Sequence, residues 1–186
     1  MAFKIGAKPS AVSNSGLFYT IPLGEPIRAK VLVDLNHLIT GEFCKTYYNK
    51  KELIWSYTES DKDPCHSMGI KPAFSVLIPS IVRIGDEKVY KIIRGPATLH
   101  KLLYDVAKSS GNLLGAIVEI TSSEKKQFRE YSVKIVGKGE VPKEYSDQDK
   151  LINELSAKIK DGTPEEVKEW LDGEMGKSKG ITEEDF

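Results

Sequence analysis

The spacing of apolar residues changes period twice between residues 74 and 136, and no other feature limits the fold as strongly. Leu99, Leu102, Leu103, Val106 and Ala107 fall at i, i+3, i+4, i+7 and i+8, one apolar stripe of an amphipathic helix. Gly95-Pro96 opens that helix, because proline in the first turn loses no needed hydrogen bond, and Ser109-Ser110-Gly111-Asn112 closes it. On both sides the pattern is that of strands. Phe74 to Ile84 and Val89 to Ile93 flank the turn Gly85-Asp86-Glu87, and Gly115 to Thr121 and Phe128 to Val136 flank Glu124-Lys125-Lys126-Gln127. In the last segment Tyr131, Val133 and Ile135 face one way and Lys134 the other.

Upstream, residues 1–26 read as an irregular lead-in whose one short strand is Leu17 to Ile21. Ile27 to Ile39 is expected to form a first long strand. Phe43 to Tyr48 and Leu53 to Tyr57 are two more, joined at Asn49-Lys50-Lys51, and Glu59 to Gly69 is polar enough to be an exposed loop. Downstream, Leu151, Leu155 and Ile159 mark one amphipathic helix, and Thr163-Pro164-Glu165-Glu166 is a capping-box start for a second carrying Val167, Trp170 and Leu171. Gly173 to Gly180 loosens into a linker. The expected units are a strand-rich domain over 1–142, a helical extension over 143–175 and a flexible acidic tail over 176–186.

The formal net charge of zero is a sum of unlike parts. Residues 140–186 hold 14 acids and 7 bases, whereas 1–139 hold 13 acids and 20 bases. A basic body with an acidic end points to polyanion binding with an attached competitor. No apolar run approaches the roughly 20 residues of a membrane span. No signal-peptide pattern opens the chain, and two cysteines make no disulfide scaffold, so the expected compartment is the cytoplasm, that of the host cell if the protein is viral.

Short strands with a single helix before the last pair follow the element order of an OB-type barrel, so the expected fold is mainly β, an OB-type barrel with one inserted helix. A groove for unpaired DNA needs cations along the phosphates and flat rings in place of the lost base stacking, each stack being worth about 1–3 kcal/mol. Lys45, Tyr47, Tyr48, Lys50 and Lys51, followed by Trp55 and Tyr57, supply both within thirteen residues. Neighbours on a regular strand point to opposite faces, so Tyr47 and Tyr48 cannot both point inward. Core packing of one of them together with Trp55 stays open. A second set is Tyr90, Lys91 and Arg94 before the helix, with Lys125, Lys126, Phe128, Arg129 and Lys134 on the last hairpin. A solvated edge hairpin explains those lysines equally well, but not Phe128.

The run Val89-Tyr90-Lys91-Ile92-Ile93, Leu99, Leu102-Leu103, Leu114 to Ile120 and Arg129-Glu130-Tyr131-Ser132-Val133 resembles the OB-fold single-stranded DNA-binding proteins of bacteriophages. The end of the chain, Gly180-Ile181-Thr182-Glu183-Glu184-Asp185-Phe186, is similar to the acidic, Phe-terminated tails of bacterial and phage single-stranded DNA-binding proteins. The resemblance implies a protein that coats and protects single-stranded DNA in replication or recombination. Glu183, Glu184, Asp185 and Phe186 would then compete for the cationic groove or dock on a polymerase, helicase or primase. The tail is shorter than that of some members.

His37, Cys44, Cys65 and His66 are spaced seven, twenty-one and one apart, unlike the close pairs of structural zinc sites, so no metal is expected. Phosphate-binding, zinc-protease and nucleophile-elbow motifs do not occur, which leaves a non-enzymatic protein without cofactor as the expectation. Two other readings stay open, an RNA-binding OB protein and an assembly or adaptor protein that binds only proteins. Self-association is a further role open to the helices and tail.

Overall fold

The structure is a computed structural model that describes residues 16–159 except 49, 50, 60, 126 and 127, and in addition 165, 168 and 169. For 46–48 and 51–53 it describes the backbone alone. The chain is mainly β. Among the described residues eight strands form one sheet: β1 (Phe18–Thr20), β2 (Ile27–Val31), β3 (Ile39–Tyr48), β4 (Lys51–Ser56), β5 (Ala73–Ile84), β6 (Glu87–Gly95), β7 (Ala116–Lys125) and β8 (Phe128–Lys138). They are accompanied by α1 (Pro64–Ser67), α2 (Ala97–Ser110) and α3 (Gln148–Ser156). Among the described residues no helix is long and apolar enough to cross a membrane.

The sheet runs in the order β1-β6-β5-β2-β7-β8, with β1 parallel to β6 and every other ladder antiparallel. β5 is long enough for two partners on one edge. Its residues 80–82 pair with β2 and its residues 73–77 pair with β3, which in turn carries β4 as a hairpin. Among the described residues no ladder joins β8 back to β6 or β1, so the sheet is not closed, and the mainly β part of the expected fold is what the ladders form.

The long strand expected over 27–39 is broken in two. Asp34 Oδ1 accepts from the backbone N–H of Asn36 (2.9 Å) and His37 (3.2 Å), and this local capping turns Leu35–His37 into a 3-10 turn. The 59–69 loop likewise contains α1, with Pro64 at its first turn and Asp63 as its cap. Of the residues expected as a turn at 124–127, Glu124 and Lys125 belong to β7 and pair with Arg129 and Phe128 of β8. α2 forms where the leucine stripe predicts it. Leu99, Leu103 and Ala107 are buried, and Gly111 ends the helix at φ 88, a left-handed conformation that glycine adopts without a Cβ clash.

Two apolar clusters hold the two faces of the sheet. On the inner face Ala29, Val31, Val76, Ile78, Val82, Ile93, Val118 and Ile120 pack under α2. On the outer face Leu77 and Ile92 are covered by Phe43 of β3, Ile54 of β4 and Leu155 of α3. α3 is therefore packed on the sheet, with both Leu151 and Leu155 buried. Its docking covers one end of the outer β5–β6 face, and the rows towards the Gly85 turn remain open as a groove. The second helix expected from Thr163 and the acidic end at 183–186 lie outside the described residues, except that 165, 168 and 169 are helical.

Candidate nucleic-acid interface

Strand alternation builds the open part of that outer face. In β2, Ile27, Ala29 and Val31 are buried, which sends Arg28 and Lys30 to the other side. The ladders then line up side chains from four strands. Lys30 is opposite Ile81 and Ile117, and Ile81 is opposite Tyr90, so Tyr90, Ile81, Lys30 and Ile117 form one row across β6, β5, β2 and β7. The adjacent row contains Lys88 opposite Arg83, and Arg28 opposite Glu119, which is opposite Lys134. These rows floor a groove of about 470 Å³ lined by Arg28, Lys30, Arg83, Lys88 and Tyr90, with Glu144 and Tyr145 of the segment after β8 on its rim.

The electrostatics are asymmetric. Among the described residues four cationic side chains line the groove against one carboxylate, that of Glu144. Just outside it, Glu119 holds Lys134 at 2.7 Å and Arg28 at 3.0 Å. The hydrogen bond from Lys134, then that from Arg28, keeps the Glu119 carboxyl below the usual carboxylate range. Lys30 donates to the Glu140 carbonyl at 3.0 Å, and Arg83 to the Gly85 carbonyl at 3.2 Å. Tyr90 stacks on Tyr145, with ring centroids 5.1 Å apart and planes 10° apart, and burial followed by the charge of Tyr145 pushes its hydroxyl pKa up to about 12. No family model, curated protein or solved structure matches this chain.

The residues expected to touch DNA are spread over separate parts of the fold. Tyr90 lies in the groove and Lys134 in the adjacent row. Lys125 and Phe128 face each other at the tip of the β7–β8 hairpin, where Phe128 is 76% exposed and Lys125 lies 3.2 Å from Glu130. Arg129, next to them, donates to the Ile21 carbonyl at 3.2 Å. Tyr47, Tyr48 and Lys51 sit at the end of the β3–β4 hairpin with Tyr48 opposite Lys51, and their side chains, like Lys50 and Lys126, lie outside the described residues. Lys45 lies further back on β3, half-buried, and Arg94 is half-buried at the far end of β6.

Two expectations are corrected. Trp55 is completely buried and its indole N–H donates to Asp63 at 3.2 Å, so the ring is a core element and offers no face to a base. Lys91 is buried and donates to the Gly16 carbonyl at 2.5 Å, because it falls on the opposite face from Tyr90. Tyr57, half-buried, meets His66 edge-on at 5.9 Å. Sequence reasoning passed over Arg28, Lys30, Arg83, Lys88 and Tyr145. The signal was available in β2, where the basic residues alternate with the apolar ones, but not in Tyr145, which reaches the groove from outside the sheet.

Cys44 and Cys65, remote in sequence, meet in the fold. Their sulfurs and an Asp63 oxygen all lie within 4.8 Å of one another, and all three residues are buried. The donor chemistry is that of a packed cap. Asp63 accepts from Trp55 Nε1 (3.2 Å), Cys65 N (2.9 Å), Thr58 N (3.0 Å) and Thr58 Oγ1 (3.2 Å). Burial alone would raise its carboxyl, but these hydrogen bonds outweigh it and hold it low. Burial pushes the pKa of both thiols up. His37, named with these cysteines as a potential ligand, is engaged elsewhere, between Asp34 at 2.8 Å and Asp149 at 3.2 Å.

Proposed function

We propose that this protein binds single-stranded DNA with little sequence preference along the outer face of β2, β5 and β6, acting in DNA replication or recombination without catalysis. The observation that carries the reading is the groove itself, where Arg28, Lys30, Arg83 and Lys88 surround an aromatic ring, Tyr90. Cations for phosphates and a ring for bases are the two requirements of an unpaired strand.

The strand connections support an OB-type reading of the same face. Taken as five strands, β2, β5, β6, β7 and β8 have the ladder order third, second, first, fourth, fifth, with α2 between the third and fourth. An OB fold is a partly open Greek-key barrel that binds oligonucleotides on its second and third strands and on the loops after the first and fourth. On this correspondence the groove spans the first, second and third strands, with Arg28 and Lys30 on the first, Arg83 on the second, and Lys88 and Tyr90 on the third. The β3–β4 hairpin with Lys45, Tyr47, Tyr48 and Lys51 is an insertion between the first and second, and the Phe128 tip is the loop between fourth and fifth. The acidic end, Glu183, Glu184, Asp185 and Phe186, would recruit a replication partner.

Fluorescence anisotropy of labelled oligo(dT) titrated with the full chain, at low and at physiological salt, tests this reading. Binding that weakens with salt is expected, because neutralised phosphates release counterions. Absence of binding at low salt would overturn it. Equal affinity for oligo(U) would assign the groove to RNA instead. Deleting 181–186 should leave DNA affinity equal or higher while removing capture of the partner.

A further inference from the structure

The chain's own segment after β8 forms one rim of the groove. After β8 the chain passes Pro142 and a 3-10 turn, Lys143–Tyr145, and Tyr145 lays its ring flat on Tyr90, 5.1 Å between centroids and 10° between planes. A nucleobase on an aromatic platform takes the same face-to-face arrangement. Glu144, the residue before, lines the groove among Arg28, Lys30, Arg83 and Lys88, with the sign of charge that a phosphate would bring. Ring and carboxylate on adjacent residues thus reproduce the two chemical features of one nucleotide.

The segment is fixed on both sides of this contact. Before it, Gly139 N–H donates to the Gly115 carbonyl at 2.9 Å and Lys30 donates to the Glu140 carbonyl at 3.0 Å. After it, Asp34 N–H donates to Gln148 Oε1 at 2.7 Å and His37 meets Asp149 at 3.2 Å. Short anchors at both ends keep Tyr145 close to Tyr90 at high local concentration even when the two rings part.

We propose that residues 142–145 are an internal lid on the groove, in which Tyr145 holds the place on Tyr90 that a base takes when single-stranded nucleic acid binds. The inference rests on the nucleic-acid reading of the groove. Binding then exchanges one stack for another: Tyr145 leaves, a base enters, and Tyr90 is covered in both states. Glu144 withdraws with it, which takes its carboxylate away from the cationic groove. The exchange lowers net affinity and speeds release, since the departing strand is replaced by a tethered competitor.

The test is oligo(dT) affinity, by anisotropy, of the wild-type full chain, Tyr145→Ala, Tyr145→Phe, Tyr90→Ala and the double variant Tyr90→Ala/Tyr145→Ala. An aromatic stack is worth a factor of about 2 to 10 in an equilibrium, so Tyr145→Ala should bind tighter by that factor. Tyr145→Phe keeps the ring and should match the wild type. In the Tyr90→Ala background the Tyr145→Ala gain should vanish, because the lid has lost its seat. Equal or weaker binding by a folded Tyr145→Ala overturns the lid while leaving the DNA reading intact. Absence of binding by both wild type and Tyr145→Ala removes the DNA reading and the lid with it. If Tyr145→Ala does not fold, the wild-type NMR spectrum decides. Oligo(dT) should relieve the mutual ring-current shifts of Tyr90 and Tyr145, and shifts that stay in place at saturation overturn the lid.

Discussion

The indole N–H of Trp55 donates to the carboxylate of Asp63 across 3.2 Å inside the protein, tying β4 to the cap of α1. Both residues are shut off from solvent, and the same carboxylate receives the backbone of Thr58 and Cys65. Losing the indole leaves Asp63 Oδ1 with one of its two donors, the Cys65 N–H, inside the protein. Trp55→Phe should therefore cost about 1–3 kcal/mol in urea unfolding. Its oligo(dT) affinity should stay within about twofold of the wild type, a difference of about 0.4 kcal/mol. A tenfold loss of affinity in a stable Trp55→Phe protein would return the ring to the binding surface.

Glu119 holds the cations at the edge of the groove in check, since Lys134 and Arg28 both close on it. Glu119→Gln should free both for phosphate contacts, tighten oligo(dT) binding at low salt, and steepen the salt dependence by about 0.7 for each additional phosphate neutralised. Anisotropy titrations across a salt series check this. Weaker binding by Glu119→Gln would mean that the carboxylate positions Arg28 for the strand.

The clamp on α3 should depend on pH. His37 hydrogen-bonds to Asp34 and, across the gap to α3, to Asp149, and these bonds, Asp34 first, raise its pKa above the ordinary value. A raised pKa in the folded state means that the stabilisation is complete below the ordinary imidazole value of about 6.5 and is lost as pH rises through the raised one. The difference in thermal midpoint between wild type and His37→Gln should thus shrink from acid to alkaline pH. A difference constant across that range would contradict a charged clamp.

Gly115 sits at φ 73, and a Cβ there would lie 2.5 Å from the Gly139 carbonyl oxygen, backbone that cannot step aside. Gly115→Ala should cost more than about 1 kcal/mol in thermal or urea unfolding, from the left-handed backbone together with the clash. A neutral substitution would show that the start of the extension is free to move away from β7.

Much of the framework was legible because period is a local property. The leucine stripe of α2 and the alternation of Tyr131, Val133 and Ile135 need only neighbouring residues to be read. The break at Asp34 was not, since it depends on a side chain recapturing its own backbone in competition with the ladder. The buried role of Trp55 depended on a partner eight residues away in a loop that reads as exposed. The groove was harder still. Arg28, Arg83 and Lys88 come together only through strand register, and Tyr145 joins them from a segment that sequence alone assigned to a separate helical extension. Basic–aromatic density along the chain favoured the β3–β4 hairpin, whereas the cations that share one surface with Tyr90 are scattered in sequence.

The salt dependence of oligo(dT) binding by a Lys30→Ala/Arg83→Ala chain, compared with the wild type, tests the central claim most directly. Both side chains line the groove, and neither belongs to the buried core. If the strand runs through this groove, the double variant should bind more weakly at low salt and its log–log salt slope should fall by about 1.4, near 0.7 for each lost phosphate contact. An unchanged affinity and an unchanged slope in a protein that melts like the wild type would place nucleic acid elsewhere, and would contradict the groove as the binding site.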